Sequence, residues 1–137
     1  MRAAALNFSA LTYPLVSFKC HNSIITGYAD DEMMGGKPKG EDANEFNYEF
    51  ANCIIRTPEV KDDDKEGSNF IDCIFEDVKD TVLLVDGDNQ RYDFHLRKES
   101  AAVDSANVAT STKSDHDGKQ RDDKPDMGAY EYIKTEE

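Results

Sequence analysis

The chain has 137 residues and a formal net charge of -13, from 29 acidic and 16 basic side chains. A chain of this length forms one domain, and its 38% hydrophobic residues suffice for a narrow core. The negative charge repels phosphate, so we expect no nucleic-acid partner and no attachment to anionic lipid. No apolar run is long enough to span a bilayer, and residues 1–8 are too short an apolar stretch for a signal peptide.

A six-residue pattern occurs three times along the chain. The first copy, residues 20–25, follows a stretch over 6–18 that predicts a strand, a turn and another strand. The second and third copies are residues 50–55 and 70–75. Each copy has an apolar or thiol residue, a spacer, Asn or Asp, Ser or Cys, and two large apolar residues. Such self-similarity, with unequal spacers, predicts stacked layers of β-strand joined by loops of different length.

Charged and turn-forming residues fill the stretches between the copies. Residues 28–45 and 57–68 therefore predict two acidic loops. After the third copy, residues 81–85 are prone to form a strand, 86–89 predict a turn, and 92–96 alternate as a last strand should. No segment sustains a helical period, so the predicted class is all-β.

The third position of each copy predicts a corner. Asn and Asp tolerate the left-handed backbone that a sharp bend between two strands requires, and they occupy this position as Asn22, Asn52 and Asp72. Such a bend would turn Phe50, Cys53 and Ile55 inward, and it would form an outward aliphatic stripe of Ile24, Ile54 and Ile74. Without the bend, Asn52 would lie inside and Cys53 outside. We favour the bent register because a buried ladder of amides needs every member hydrogen-bonded.

The cysteines are interpreted through the same pattern. Cys53 and Cys73 hold one position in consecutive copies, and matching positions in stacked strands lie about 4.8 Å apart, which permits a disulfide. However, stacked side chains point in parallel, and Cys20 would leave an odd number of thiols. We therefore expect free thiols, with Cys53 and Cys73 as core residues.

Three segments near the C-terminus carry a resemblance to a known family. They read Ser100-Ala101-Ala102-Val103-Asp104, Asp115-His116-Asp117-Gly118-Lys119-Gln120-Arg121 and Pro125-Asp126-Met127-Gly128-Ala129-Tyr130-Glu131. They resemble the closing segments of bacterial right-handed parallel β-helix proteins, which are related in architecture to pectate lyases and often named for a choice-of-anchor domain. With the motif copies, the resemblance covers residues 18–132, although Ala101 replaces the family's usual proline.

The resemblance implies a right-handed parallel β-helix, a solenoid of about four coils over residues 1–97. Residues 98–132 would cap the end of the stack, with Met127 covering it, and 133–137 would be a disordered tail. The implied structural residues of this cap are Asp104, Arg121, Asp126, Gly128, Tyr130 and Glu131. The family is mostly secreted or located at the cell surface, so the resemblance implies that the export signal and further coils precede this chain. An uncapped first coil would favour self-association there.

Catalytic and metal-binding motifs are sparse in this sequence. The three histidines lack zinc-ligand spacing, and an EF-hand frame through residues 115–118 has lysine at its first and last ligand positions. Polysaccharide lyases of the resembling fold use a basic residue beside carboxylates that bind calcium. Arg56, which follows the second copy, is the one candidate for that base, and a surface ion pair is the more common role for such a residue.

The two acidic loops leave the same strand of adjacent copies, so we expect them to project from one corner. Insertions on one face of a repeat array often form its binding face. A solvated acidic face is the simpler interpretation of such a charge run. The candidate ligand-binding corner, with a low affinity for Ca²⁺ and no other cofactor, consists of Asp30, Asp31, Glu32, Asp62, Asp63 and Asp64.

Two classes of function remain open at this point. The first is a non-catalytic secreted or cell-surface domain that acts in surface attachment or contacts a polysaccharide or cell-surface glycan. The alternative is the C-terminal part of a carbohydrate-active enzyme, a polysaccharide lyase or glycoside hydrolase whose active site lies mostly outside this chain.

Overall fold

The computed structural model of the protein describes residues 14–33, 46–59, 67–75 and 81–133, which form β-strands and turns. Within these ranges there is no α-helix, and the helical turns are short 3₁₀ segments, Gly67–Asn69 and Val108–Thr110. Accordingly, the described residues include no helix that is long and apolar enough to cross a membrane. The predicted all-β class is confirmed for this part of the chain.

The motif copies supply six strands. These strands are β1 (Leu15–His21), β2 (Ile24–Ile25), β3 (Phe46–Ala51), β4 (Ile54–Ile55), β5 (Phe70–Ile71) and β6 (Ile74–Phe75). They form two three-stranded sheets in the orders β1-β3-β5 and β2-β4-β6, and all pairs are parallel. Ile24 pairs with Ile54 and Ile54 pairs with Ile74. The predicted in-register stacking of the copies is therefore confirmed.

A left-handed residue separates the two strands of each copy. The φ angles of Asn22, Asn52 and Asp72 are 51°, 52° and 50°. The bend resets the alternation of side chains, so Cys53 lies in one core cluster with Phe50 and Ile55. The bent register is confirmed, and the unbent alternative is wrong because Cys53 has no exposed surface.

Aromatic rings fill the interior of the stack. Phe50 and Phe70 hold the first position of consecutive copies, and their rings stack at a centroid distance of 5.3 Å and an interplanar angle of 7°. Tyr48 and Phe75 contact Phe70 edge-on at 6.0 and 5.6 Å. Each such pair adds about 0.5–1.5 kcal/mol beyond the burial of its surface. The first position of the motif therefore forms the aromatic centre of the core.

The strands after the third copy form a hairpin. β7 (Val82–Asp86) and β8 (Arg91–Leu96) pair antiparallel, which differs from the parallel coil expected for residues up to 97. A parallel return needs a connection of about a dozen residues. The turn 87–90 is much shorter and ends on Gln90 with a φ of 53°, so it reverses the chain.

The hairpin and the segment after it cover the aliphatic stripe. Ile54 packs against Val82, Leu96, Ala102 and Met127, with Ile24 and Ile74 at the margin of this second cluster. The stripe faces away from the aromatic cluster, as predicted, but it is not left to solvent. Met127 thus covers the flank of the stack rather than its end. As a result β4 is buried on both faces, and neither of its residues has exposed surface.

We expect Ile54→Ala to lower the free energy of unfolding by about 2–5 kcal/mol, because it opens a cavity where the stack meets its cover. Denaturant unfolding followed by circular dichroism measures the effect. Ile71→Ala is the matched control, since Ile71 is 44% exposed, and it should cost about 1 kcal/mol or less. Equal losses in the two variants would contradict this account of the second core.

Candidate functional site

The C-terminal segment is fixed to the corner of the first motif copy. The Asn22 carboxamide oxygen accepts a hydrogen bond from the Asn107 N–H at 2.8 Å, and Asn22 Nδ2 donates to the Asn107 carbonyl at 3.0 Å. The Gly128 N–H donates to the Asn22 carbonyl at 2.8 Å. Gly128 has a φ of 96°, and a Cβ there would lie 2.9 Å from Ile24 Cδ1, so glycine permits this approach. Asn22 therefore has a docking role that the sequence did not indicate.

A buried ion pair joins the turns of this segment. Arg121 Nη1 lies 2.8 Å from Glu131 Oε2, and the two side chains are only 8% and 5% exposed. Arg121 also donates to the carbonyls of Asp126 and Gly128, at 2.9 and 2.7 Å. Pairing and hydrogen bonding of this kind are what allow a charge to be buried. The structure thus brings four predicted structural residues into one network: Arg121, Asp126, Gly128 and Glu131.

Asp126 organises the backbone around the same network. Its carboxylate accepts hydrogen bonds from the N–H groups of Asp104 at 2.7 Å and Tyr132 at 2.5 Å. Burial raises the pKa of Asp126, and the two N–H donors offset only part of that effect. Asp104 has a φ of 57°, which places its N–H at the turn that Asp126 caps. The arrangement of Asp126 is that of a structural acceptor.

His95 links the hairpin to the loop that contains Asp117. Its Nδ1 lies 2.7 Å from Asp93 Oδ1, and its Nε2 lies 3.2 Å from Asp117 Oδ2. The imidazole stacks on the Tyr130 ring at 3.9 Å, and His116 contacts the same ring at 5.4 Å. The hydrogen bond with Asp93 raises the pKa of His95, burial opposes this effect, and the bond with Asp117 reinforces it. The sequence signal that was missed is the Asp93–His95 spacing, which puts both side chains on one face of a strand.

Arg56 lies at the predicted corner, where it binds the first acidic loop. Its Nη1 donates to the Gly27 carbonyl at 2.7 Å, and its Nη2 lies 3.2 Å from Asp30 Oδ1. The Glu32 N–H donates to the Arg56 carbonyl at 2.9 Å. The Arg56 side chain is mostly buried, whereas that of Asp30 is fully exposed. Arg56 thus holds the start of the loop in place.

Asp31 completes the described part of the acidic corner by accepting a hydrogen bond from the Thr57 hydroxyl. The two acidic loops therefore begin side by side. The other predicted members, Asp62, Asp63 and Asp64, lie outside the described residues. Within the ranges that the structure describes, no group of three or more His, Cys, Asp or Glu side chains is arranged to hold a metal ion. Low-affinity Ca²⁺ binding at this corner stays a prediction.

All three cysteines are free, as expected. Cys53 is buried, while Cys20 and Cys73 are half-buried. The Cys53 thiol lies 3.4 Å from the carbonyls of Cys20 and Ala51, and the Cys73 thiol lies 3.5 Å from those of Phe50 and Ile71, so each contacts its own copy and the preceding one. Hydrogen bonding within the pair lowers the pKa of Cys73 to about 7 and raises the pKa of Cys53. These thiols act as ladder residues of the core.

A groove of about 640 Å³ separates the first motif copy from the hairpin. Val82 and Phe94 line one wall, and residues 128–129 close one side. Residues 22–26 form another wall. The volume falls within the range of about 300–1,000 Å³ that is usual for ligand sites. The residues that line the groove carry no titratable side chain.

Comparison of the sequence with models of known protein families finds no match, and comparison with curated proteins finds no similar sequence.

We expect Arg121→Met to lower the free energy of unfolding by about 3–5 kcal/mol, because it leaves the Glu131 charge buried without its partner. Urea unfolding measures the change. The matched control is Lys19→Met, since Lys19 pairs with Glu49 on the surface with its side chain 62% exposed, and it should cost about 0.5 kcal/mol or less. A comparable loss for Lys19→Met would contradict a special role for the buried pair.

The stability of the protein should also depend on pH through His95. A folded-state pKa above the unfolded value of about 6.5 stabilises the fold fully below that value, and this contribution is lost as pH rises through the folded pKa. Urea midpoints measured from about pH 5.5 to about pH 7 should therefore fall with rising pH, and the window ends there because the lowered pKa of Cys73 has the opposite effect above it. His95→Gln should flatten this part of the profile. His116→Gln, at an exposed position, should leave the slope of the profile unchanged. An unchanged slope in His95→Gln would assign the effect to other groups.

Proposed function

We propose that this chain is a non-catalytic right-handed parallel β-helix domain of a secreted or cell-surface protein, and that it acts in surface attachment or glycan contact. The observation that carries the proposal is the parallel, in-register stacking of three motif copies around left-handed corners. Successive coils of a β-helix require this combination of stacked strands and repeated bends. The right hand is the general preference of parallel β connections. The C-terminal segments that resemble the β-helix family lie against the same stack.

The surroundings of Arg56 support a non-catalytic role over the lyase alternative. A lyase base must accept a proton from its substrate. The Arg56 guanidinium already donates to the Gly27 carbonyl and lies 3.2 Å from the Asp30 carboxylate, so it is engaged within the loop. Arg56 is therefore better suited to holding the loop than to proton abstraction.

The acidic corner is the proposed contact face. Asp30, Asp31 and Glu32 stand where the two loops begin side by side, and the Asp30 side chain is fully exposed. Carboxylates are strong acceptors for hydroxyl donors, which sugars supply in number. A net charge of -13 favours an uncharged or cationic glycan over a polyanionic one.

The test combines binding and turnover on insoluble neutral and anionic polysaccharides. We expect the protein to sediment with a neutral polysaccharide and to release neither reducing ends nor unsaturated products. Asp30→Asn should weaken binding by about tenfold, which corresponds to about 1.4 kcal/mol for one charge-assisted hydrogen bond. Asp123→Asn, in an exposed turn of the C-terminal segment, is the matched control and should bind as the wild type does.

Release of new reducing ends or unsaturated sugars would replace this proposal with the enzyme alternative. Failure to sediment with any polysaccharide of the panel would contradict glycan contact. Equal weakening by the two substitutions would move the contact face away from the acidic corner.

A further inference from the structure

The backbone ladder between consecutive copies follows a fixed rule. The N–H of the fifth motif residue donates to the carbonyl of the fourth residue of the preceding copy, from Ile54 to Ser23 at 2.9 Å and from Ile74 to Cys53 at 2.8 Å. The carbonyls of the fourth and sixth residues therefore point toward the following copy. The residue after the motif follows the same rule, since the Arg56 N–H donates to the Ile25 carbonyl at 3.0 Å. The N–H groups of the fifth residue and of the residue after the motif therefore point toward the preceding copy.

A second rule works in the other direction at the corner. The N–H of the third motif residue donates to the carbonyl of the second residue of the following copy, from Asn22 to Ala51 at 3.0 Å and from Asn52 to Ile71 at 2.9 Å. Each interface between copies thus has donors and acceptors on both sides, and every donor of this pattern faces a matching acceptor.

At the first-copy edge, the rules direct the N–H groups of Ile24 and Thr26 and the carbonyl of His21 away from the second copy. Among the described residues no strand pairs with this side of β1 or β2. Ser23 corresponds in position to Cys53 of the next copy. Its hydroxyl donates to the His21 carbonyl at 2.8 Å, as the Cys53 thiol contacts the Ala51 carbonyl at 3.4 Å, and no preceding copy lies among the described residues. The groove lies along this edge, with residues 22–26 as one wall.

The third-copy edge presents the complementary set. β5 and β6 pair with β3 and β4 on one side, and no described strand pairs with the other side. By the same rules, the N–H of Asp72 and the carbonyls of Cys73 and Phe75 face away from the second copy. Donors at one end of the stack therefore correspond in position to acceptors at the other.

We propose that the groove beside β2 receives β6 of a second copy of this chain, so that molecules stack head to tail by strand addition. Ile24 and Thr26 of one molecule then donate to the carbonyls of Cys73 and Phe75 of the next, and Asp72 of that molecule donates to the His21 carbonyl. Val82 and Phe94 cover the added strand as Val82 and Leu96 cover Ile54. Main-chain pairing supplies affinity in this mode, and side-chain positions supply register.

The groove favours this occupant because β2 and its neighbours line one wall and the lining is uncharged. The contact joins two different surfaces, so it does not close on itself and yields an open series of oligomers. The charge of -13 on each molecule opposes the contact, and added salt screens that repulsion. Association should therefore strengthen with ionic strength.

Sedimentation velocity tests the proposal with two variants matched at the fourth motif position. The wild type should show a sedimentation coefficient that rises with salt and over about a hundredfold range of concentration. Ser23→Lys places a charge at the first-copy end and Cys73→Lys places one at the third-copy end. Each variant alone should be monomeric. Their equimolar mixture should form dimers and nothing larger, because the unblocked end of one variant pairs with the unblocked end of the other and only blocked ends remain.

Dimers of Cys73→Lys alone would indicate a two-fold contact between first-copy ends and would overturn the proposal. A wild type that stays monomeric at the highest concentration and salt would overturn it as well. Circular dichroism is the check that both variants fold, because Cys73 packs against the aromatic core. Hydrogen exchange on the wild type needs no variant: the amides of Ile24 and Thr26 should gain protection on association, whereas that of Asp88 in the hairpin turn should not. Association without protection of the Ile24 and Thr26 amides would contradict the location of the contact at the first-copy edge.

Discussion

The left-handed corner at the third motif position is the constraint on which the rest of the structure depends. At Asn22, Asn52 and Asp72 the backbone takes φ angles of 50–52°, which few residues adopt at so small a cost as Asn and Asp. The bend divides six residues between two sheets and resets the alternation of side chains. The first, fourth and sixth residues consequently share one core, and the fifth residue faces another. Without this bend neither the aromatic centre nor the aliphatic stripe would exist as a continuous surface.

Two cores follow from that division, and they are joined through a single short strand. Ile55 belongs to the aromatic core and Ile54 to the cluster beneath the hairpin, and both have no exposed surface. The cover is held by polar contacts of two kinds. Asn22 binds the backbone of Asn107, and the Arg121–Glu131 pair fixes the turns that carry Met127 to Ile54. A chain with 33% charged residues can thus support a compact core because its buried charges are paired.

The described part of the chain presents two surfaces of different chemistry, the groove and the acidic corner. The titratable groups that the fold brings together have structural partners: Arg56 holds a loop, Asp126 caps a turn, and His95 connects the hairpin to the Asp117 loop. The groove has no titratable lining, and β2 with its neighbours forms one of its walls. Recognition at such a site depends on shape and main-chain hydrogen bonds, whereas the acidic corner offers charged acceptors to solvent. The two surfaces are therefore suited to different ligands.

The sequence by itself determined the local features, because these depend on residue type and spacing. The recurrence of the motif predicted parallel stacking, its Asn and Asp residues predicted the corners, and the shared position of Cys53 and Cys73 predicted free thiols in the core. The tertiary structure alone decided what covers the aliphatic stripe, since the hairpin could have formed a further layer or folded back. Because the turn before β8 is short, the chain folded back as a hairpin. Asn22 contacts Asn107, and His95 contacts Asp117, only because separate segments of the chain pack together. The spacing of residues along the sequence does not predict how such segments pack.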